Sequence, residues 1–190
     1  MNDNHTEFRY ERALYLDPGN VHTGVAVFER DGFDNTWDCI DAATLRLDND
    51  DKVHEFLDWL TARLSKCEID IIGYEIYRLF NDKAKEQTGS EFEAVQIIGN
   101  VKYLAHRYRS YNRGFKQDLE LVRFRPEDKK PTAGILKSRG ITSEAKRRKT
   151  YGDHAQDAEL QGYRDIIKNR GWEVRRSGHE SRFLEGVRHL

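Results

Sequence analysis

Four side chains with metal-ligand chemistry stand at well-marked places in the chain: Asp17, Glu75, His154 and Asp157. Asp17 closes the apolar run 13–16 just before Pro18-Gly19, and Glu75 closes the mainly apolar run 69–74. A carboxylate at a strand end beside a turn has fixed oxygens that water still reaches, which suits a divalent cation. His154 and Asp157 are three residues apart, with Gln161 four further on, so all three share one face of a helix. Each alone has an ordinary reading: Asp17 as a turn starter, His154 as a solvated helix-start histidine, Asp157 as a surface charge. Together, oxygen and imidazole donors from two strand ends and one helix face form the pattern of a site for two hard divalent ions. Such a pair activates a water and stabilises the leaving oxygen of a phosphodiester without a protein nucleophile.

The elements that must position these groups are legible from hydrophobic period. Residues 13–17 and 23–28, separated by Pro18-Gly19, read as a β-hairpin, and 36–45 as a third antiparallel strand with Trp37, Cys39 and Ile40 as apolar members. The acidic turn 48–51 starts a helix carrying Val53, Phe56, Leu57, Leu60 and Leu64 at steps of three and four. The run 69–74, apolar but for Asp70, reads as a strand buried on both faces, the habit of parallel pairing. A long helix over 90–108 has one seam of Ala94, Ile97, Val101, Leu104 and Tyr108 and a second of Phe92, Val95, Ile98 and Ala105. The sheet covers one seam; a partner subunit or a larger core covers the other. Residues 119–124 form the last strand, ended by Pro126. A closing helix over 153–169 has a small-residue face of Ala155, Ala158, Gly162 and Ile166, which allows close packing on the sheet.

With 190 residues the chain suits one domain. Lys plus Arg number 32 against 33 Asp plus Glu, so a globally basic coat for nucleic acid is excluded and local patches decide. The densest patch is 137–149, with Lys137, Arg139, Lys146, Arg147, Arg148 and Lys149 against Glu144. Taken alone it reads as a solvated face, but it leads straight into His154 and Asp157. Cys39 and Cys67 have no metal-type spacing, so neither a disulfide scaffold nor a zinc finger is indicated; Cys39 reads as core and Cys67 as a helix end. No run reaches membrane-spanning length and residues 1–12 lack a signal-peptide core, so a cytoplasmic protein is expected.

The succession of hairpin with Asp17-Pro18-Gly19, third strand, helix, strand ending at Glu75, long helix, strand, and closing helix with His154-x-x-Asp157-Ala158 resembles the RNase H-like fold. Within it the chain is similar to the RuvC-like Holliday junction resolvases, especially the smaller phage-encoded ones. The resemblance covers about residues 12–169 and leaves 171–190 as a tail, either an extra DNA contact or a packing arm. It implies an α/β fold with a mixed five-stranded sheet, three antiparallel strands then two parallel, flanked by helices. It implies a metal-dependent endonuclease that resolves four-way junctions and other branched DNA by paired cuts, as a homodimer built on the long helix. Two Mg²⁺ ions are implied, bridged by Asp17, with Glu75 on one and His154 and Asp157 on the other; Asp153 is the rival ligand if the helix register differs by one. Because imidazole is a softer donor than carboxylate, Mn²⁺ is expected to substitute.

By the same resemblance Lys130 serves at the scissile phosphate and counts with the catalytic residues. Lys129, Lys130, Lys137, Arg139 and the run Lys146 to Lys149 hold the DNA backbone. Tyr77 and Arg78, in the loop after Glu75, belong to the DNA-binding set, with Tyr77 or Phe80 as the aromatic that wedges the junction. Three other readings compete. A phosphate hairpin of the actin-like ATPases needs a second lobe, and no second copy occurs in the sequence. Another RNase H-like nuclease, for RNA processing or DNA packaging, shares the ligands, and a non-catalytic branched-DNA-binding module shares the fold.

Overall fold

The computed structural model of the chain describes residues 11–32, 36–76, 93–111, 119–141, 143, 153–170 and 182–190. Five strands form one sheet in the order β3-β2-β1-β4-β5. The strands β1 (Glu11–Pro18), β2 (His22–Arg30) and β3 (Trp37–Arg46) pair antiparallel. β4 (Ile71–Glu75) then runs parallel to β1, and β5 (Glu120–Phe124) parallel to β4. This is the mixed sheet expected from the sequence, with the two carboxylate-bearing strands β1 and β4 side by side at its centre. Tyr15 and Leu16 pair with Gly73 and Tyr74, so Asp17 and Glu75 leave the sheet at neighbouring positions on the same edge.

Among the described residues four α-helices cover the sheet: α1 (Asp50–Ser65), α2 (Glu93–Tyr111), α3 (Lys129–Ser138) and α4 (Asp153–Arg164), the last continuing as a π-helical stretch, Asp165–Arg170. Asn49 caps α1 by accepting from the Lys52 amide at 3.0 Å, and Asp50 and Asp51 suit the positive end of its dipole. Central strand residues Ala13, Leu14, Tyr15 and Leu16 are wholly buried because helices lie on both faces. On one face Leu14, Leu16, Val25 and Val27 pack with Phe56, Leu60 and Leu64 of α1 and Ile97 and Val101 of α2. On the other, Tyr15, Phe28 and Phe124 pack with Leu136 of α3 and Ala155, Ala158 and Ile166 of the closing helix. The small-residue face is used as expected: a Cβ on Gly162 would stand 2.2 Å from the Phe28 ring, so only glycine lets α4 lie this close.

Three readings change. Residues 129–138 are helical, where the sequence, with Pro131 and Gly134, gave no clear period. Ala94, Ile97, Val101 and Leu104 of the first seam of α2 are buried, as expected, with Tyr108 half-buried, but Ala105 of the second seam is buried with them, while Val95 is 46% exposed. The described part of the tail is a packing arm. Leu184 and Val187 are fully buried in the cluster of α1 and α2, and Arg46 on β3 donates its amide to the Leu190 carbonyl at 2.7 Å. Asp41, also fully buried, takes the Arg188 guanidinium and the Leu184 amide, the latter at 3.0 Å. The Arg63 guanidinium stacks 4.5 Å from the Phe183 ring centre. Cys39 is core and Cys67 follows the end of α1 with φ 52°, as read. No described helix is long and apolar enough to cross a membrane.

Candidate active site

Asp17 and Glu75 come from adjacent strand ends, and α4 crosses over them. Its approach is set by Gly24 on β2: a Cβ there would lie 1.9 Å from the His154 carbonyl oxygen. A glycine in a strand interior marks such a close backbone approach. Thr44 on β3 fixes the same helix start by accepting from the Ala155 amide at 3.2 Å. At the far end, the buried Tyr15 hydroxyl donates to Asp165 at 2.8 Å, and Arg170 donates to the same carboxylate at 2.8 Å. The helix is thus fixed at both ends over β1.

So positioned, α4 presents His154, Asp157 and Gln161 to the carboxylates. His154 Nδ1 lies 2.7 Å from Asp17 Oδ2. With the ring proton on Nδ1, that nitrogen donates to the carboxylate and Nε2 keeps the lone pair for a ligand. Gln161, 2% exposed, donates from Nε2 to Glu75 at 3.0 Å and to Asp17 at 3.3 Å, bridging the two strand ends. Its Oε1 is buried with no hydrogen-bond partner among the described residues.

The centre of the cluster is Lys129. Its ammonium lies 2.7 Å from each of Asp17 Oδ1, Glu75 Oε2 and Asp157 Oδ2. The sequence reading gave the catalytic role to Lys130; the structure brings Lys129 to the carboxylates and leaves Lys130 exposed. The reason is helical phase, since neighbouring residues on a helix point about 100° apart. Asp153, the rival ligand, is exposed at the first position of α4, and Lys137 and Arg139 are exposed on and just after α3. Lys146, Arg147, Arg148, Lys149, Tyr77, Arg78 and Phe80 lie outside the described residues. Sequence reasoning also left Gln161 and Lys129 without their places in the cluster. The step from Asp157 to Gln161 is the signal for the first; the second is expected from the sequence only at the DNA backbone, as one of a lysine pair.

Electrostatics follow from the geometry. Burial pushes the Asp17 carboxyl up, but hydrogen bonds from His154 and the charge of Lys129 outweigh it and hold it below its ordinary value. Burial raises Glu75 above its ordinary value, with Lys129 only partly opposing. The bond to Asp17 raises His154, and the surrounding acids keep Lys129 protonated despite burial. Asp17 is thus an ionised, 5% exposed carboxylate held by His154, Lys129 and Gln161.

The donor set fits hard divalent ions: three carboxylates from β1, β4 and α4 converge on one cation position, with an imidazole bonded to one of them and an unpartnered amide oxygen alongside. As they stand, no group of three or more His, Cys, Asp or Glu among the described residues is gathered closely enough to hold one metal ion. The oxygens lie 2.7 Å from the ammonium. Those oxygens are spaced around an ammonium, and a smaller divalent cation such as Mg²⁺ would draw them closer together.

No known family's sequence profile matches the chain, and no curated protein matches it in sequence. Solved structures do match in shape. Thermus thermophilus RuvC in complex with a Holliday junction substrate superposes with a TM-score of 0.55 at 12% identity, over 85% of this chain and 96% of that one. The yeast mitochondrial Holliday junction resolvase Ydc2 gives 0.53 at 11% identity, over 95% and 81%. The fowlpox virus Holliday junction resolvase gives 0.52 at 12%, over 83% and 99%. At these identities the likeness establishes architecture: the chain has the RNase H-like fold, a mixed five-stranded sheet flanked by helices.

Proposed function

We propose that the protein is a metal-dependent, structure-selective endonuclease that resolves Holliday junctions and other branched DNA by paired phosphodiester hydrolysis. The observation that carries this reading is the convergence of Asp17, Glu75 and Asp157, from two strand ends and one helix, on a single cation position, with His154 bonded to Asp17. Asp17 is buried and Glu75 and Asp157 are half-buried; acids gathered this closely cost stability unless a cation offsets it, so a fold that keeps them at a solvent-reachable sheet edge has a use for them. The fold shared with three Holliday junction resolvases supports branched DNA as the substrate in this reading.

In this reading two Mg²⁺ ions would be held by Asp17, shared between them, with Glu75 serving one and His154 and Asp157 the other; the exposed Asp153 is the weaker candidate. When bound, the ions supply an activated water and stabilise charge on the leaving oxygen. The chain's own residues orient this chemistry: His154 and Gln161 fix the two carboxylate planes, and Gly24 and Thr44 fix the helix that carries His154. Lys129 takes over the catalytic lysine role from Lys130, which, exposed with Lys137 and Arg139, serves the phosphate backbone with Lys146 to Lys149, Tyr77 and Arg78. Mn²⁺ substitutes for Mg²⁺ and supports turnover at least as well; markedly slower cutting in Mn²⁺ would count against His154 as a ligand.

A two-fold junction needs two opposed cuts, which suits a homodimer. The α2 face supports that assembly: Val95 and Tyr103 are 46% and 63% exposed, and a groove of about 710 Å³ opens between α1 and α2 beside Leu57, Tyr103 and Arg107. The test is incubation with a synthetic four-way junction, a linear duplex and an RNA–DNA hybrid in Mg²⁺. Symmetric nicking of the junction alone is expected. Cutting of the hybrid would move the activity to another RNase H-like nuclease, and binding without cutting to a non-catalytic module.

A further inference from the structure

We propose that Lys129 is a built-in counter-cation which a divalent metal must displace, so that this lysine sets the metal concentration at which the site loads. The inference rests on the metal-nuclease reading above and adds a device to it. An ammonium carries three N–H donors, and here three carboxylate oxygens from β1, β4 and α4 each lie 2.7 Å from it. Its donor capacity is therefore spent on the acids, and only 16% of the side chain is exposed.

The place of the residue points the same way. Lys129 is the first residue of α3, the end where a helix dipole disfavours a cation. What holds the ammonium there is the acid cluster, across chain separations of 112 residues to Asp17 and 28 to Asp157. The oxygens that grip the ammonium are those a metal needs at about 2.1 Å. Two cations cannot share that point, so occupancy is exclusive and the two equilibria are linked. Whatever free energy the ammonium contributes is subtracted from the apparent affinity of the metal. Once displaced, the same ammonium regains its donors at the rim of the site.

The linkage is read by calorimetric titration of the full chain with MgCl₂ alone, then with MnCl₂ alone, for wild type, Lys129→Met, Lys129→Gln and Lys129→Arg. Removing the charge should tighten metal binding at least about tenfold, because a unit charge a few Å away is worth more than a decade at an effective dielectric near 20. Lys129→Arg should stay near wild type. Melting temperature gives a second readout that needs no DNA: Lys129→Met and Lys129→Gln should melt lower in EDTA and gain more from saturating Mg²⁺ than wild type does. Unchanged or weaker metal binding in both neutral variants would overturn the proposal while leaving the metal site standing. Failure of every form, wild type included, to bind either ion would remove the metal-nuclease reading itself.

Discussion

At the scale of single residues, one glycine decides whether the site exists. Gly24 faces the backbone of the first turn of α4, and any side chain there would meet the His154 carbonyl oxygen at 1.9 Å. Because the obstacle is backbone, the helix must retreat, and His154 and Asp157 retreat with it. Gly24→Ala should therefore reduce junction cutting by about 10²-fold, the effect of a misplacement near 1 Å, in a protein that still folds. Wild-type cutting by this variant would show that the approach of α4 to β2 does not matter. The exchange of Lys130 for Lys129 belongs to the same scale. Composition marks the lysine pair, but which member faces the acids depends on helical phase, and residues 129–138 carry Pro131 and Gly134 in place of a readable apolar stripe. Asp17 and Glu75 were legible because each ends a buried strand, a boundary that hydrophobicity marks sharply.

At the scale of elements, strands and helices with a strong apolar period matched their expected places to within a few residues, as β1, β4, α1 and the closing helix do. Elements held mainly by tertiary contact did not. The arm 182–190 has no regular pattern, yet its Leu184 and Val187 are fully buried against α1 and α2. Its contribution is measurable: Leu184→Ala should cost about 2–5 kcal/mol in chemical denaturation, as for other buried leucines, while a change below 0.5 kcal/mol would mean that the arm is dispensable. The β3–α1 junction offers a pH test. Asp48 accepts from Lys52 Nζ at 2.9 Å and pairs with Arg46 at 2.6 Å. The Lys52 hydrogen bond, foremost, holds its carboxyl below the ordinary 3.8. A carboxylate with a depressed folded value stabilises above its unfolded value and loses that contribution as pH falls through the folded one. Asp48→Asn should thus melt below wild type at pH 7, with the gap closing once pH drops under about 3.8. A gap independent of pH would show that charge is not its source.

At the scale of the whole molecule, a mixed sheet with helices on both faces brings together residues that lie far apart in the chain, Asp17 and His154 being 137 positions apart. This arrangement explains why no family profile and no curated protein matches the sequence although the shape matches resolvases at 11–12% identity. The architecture needs only apolar period and a few small residues, and the chemistry needs only a handful of polar ones. The account therefore stands or falls on those few polar groups acting together on DNA. The most direct measurement is the rate of single-turnover cleavage of a four-way junction in Mg²⁺ by wild type and by Asp17→Asn. Metal-ion stabilisation worth several kcal/mol predicts a loss of at least about 10²–10³ on removing one charged ligand. Paired, Mg²⁺-dependent nicks by wild type that disappear in Asp17→Asn are the predicted result; cutting by the variant at the wild-type rate, or cutting that persists in EDTA, would contradict it.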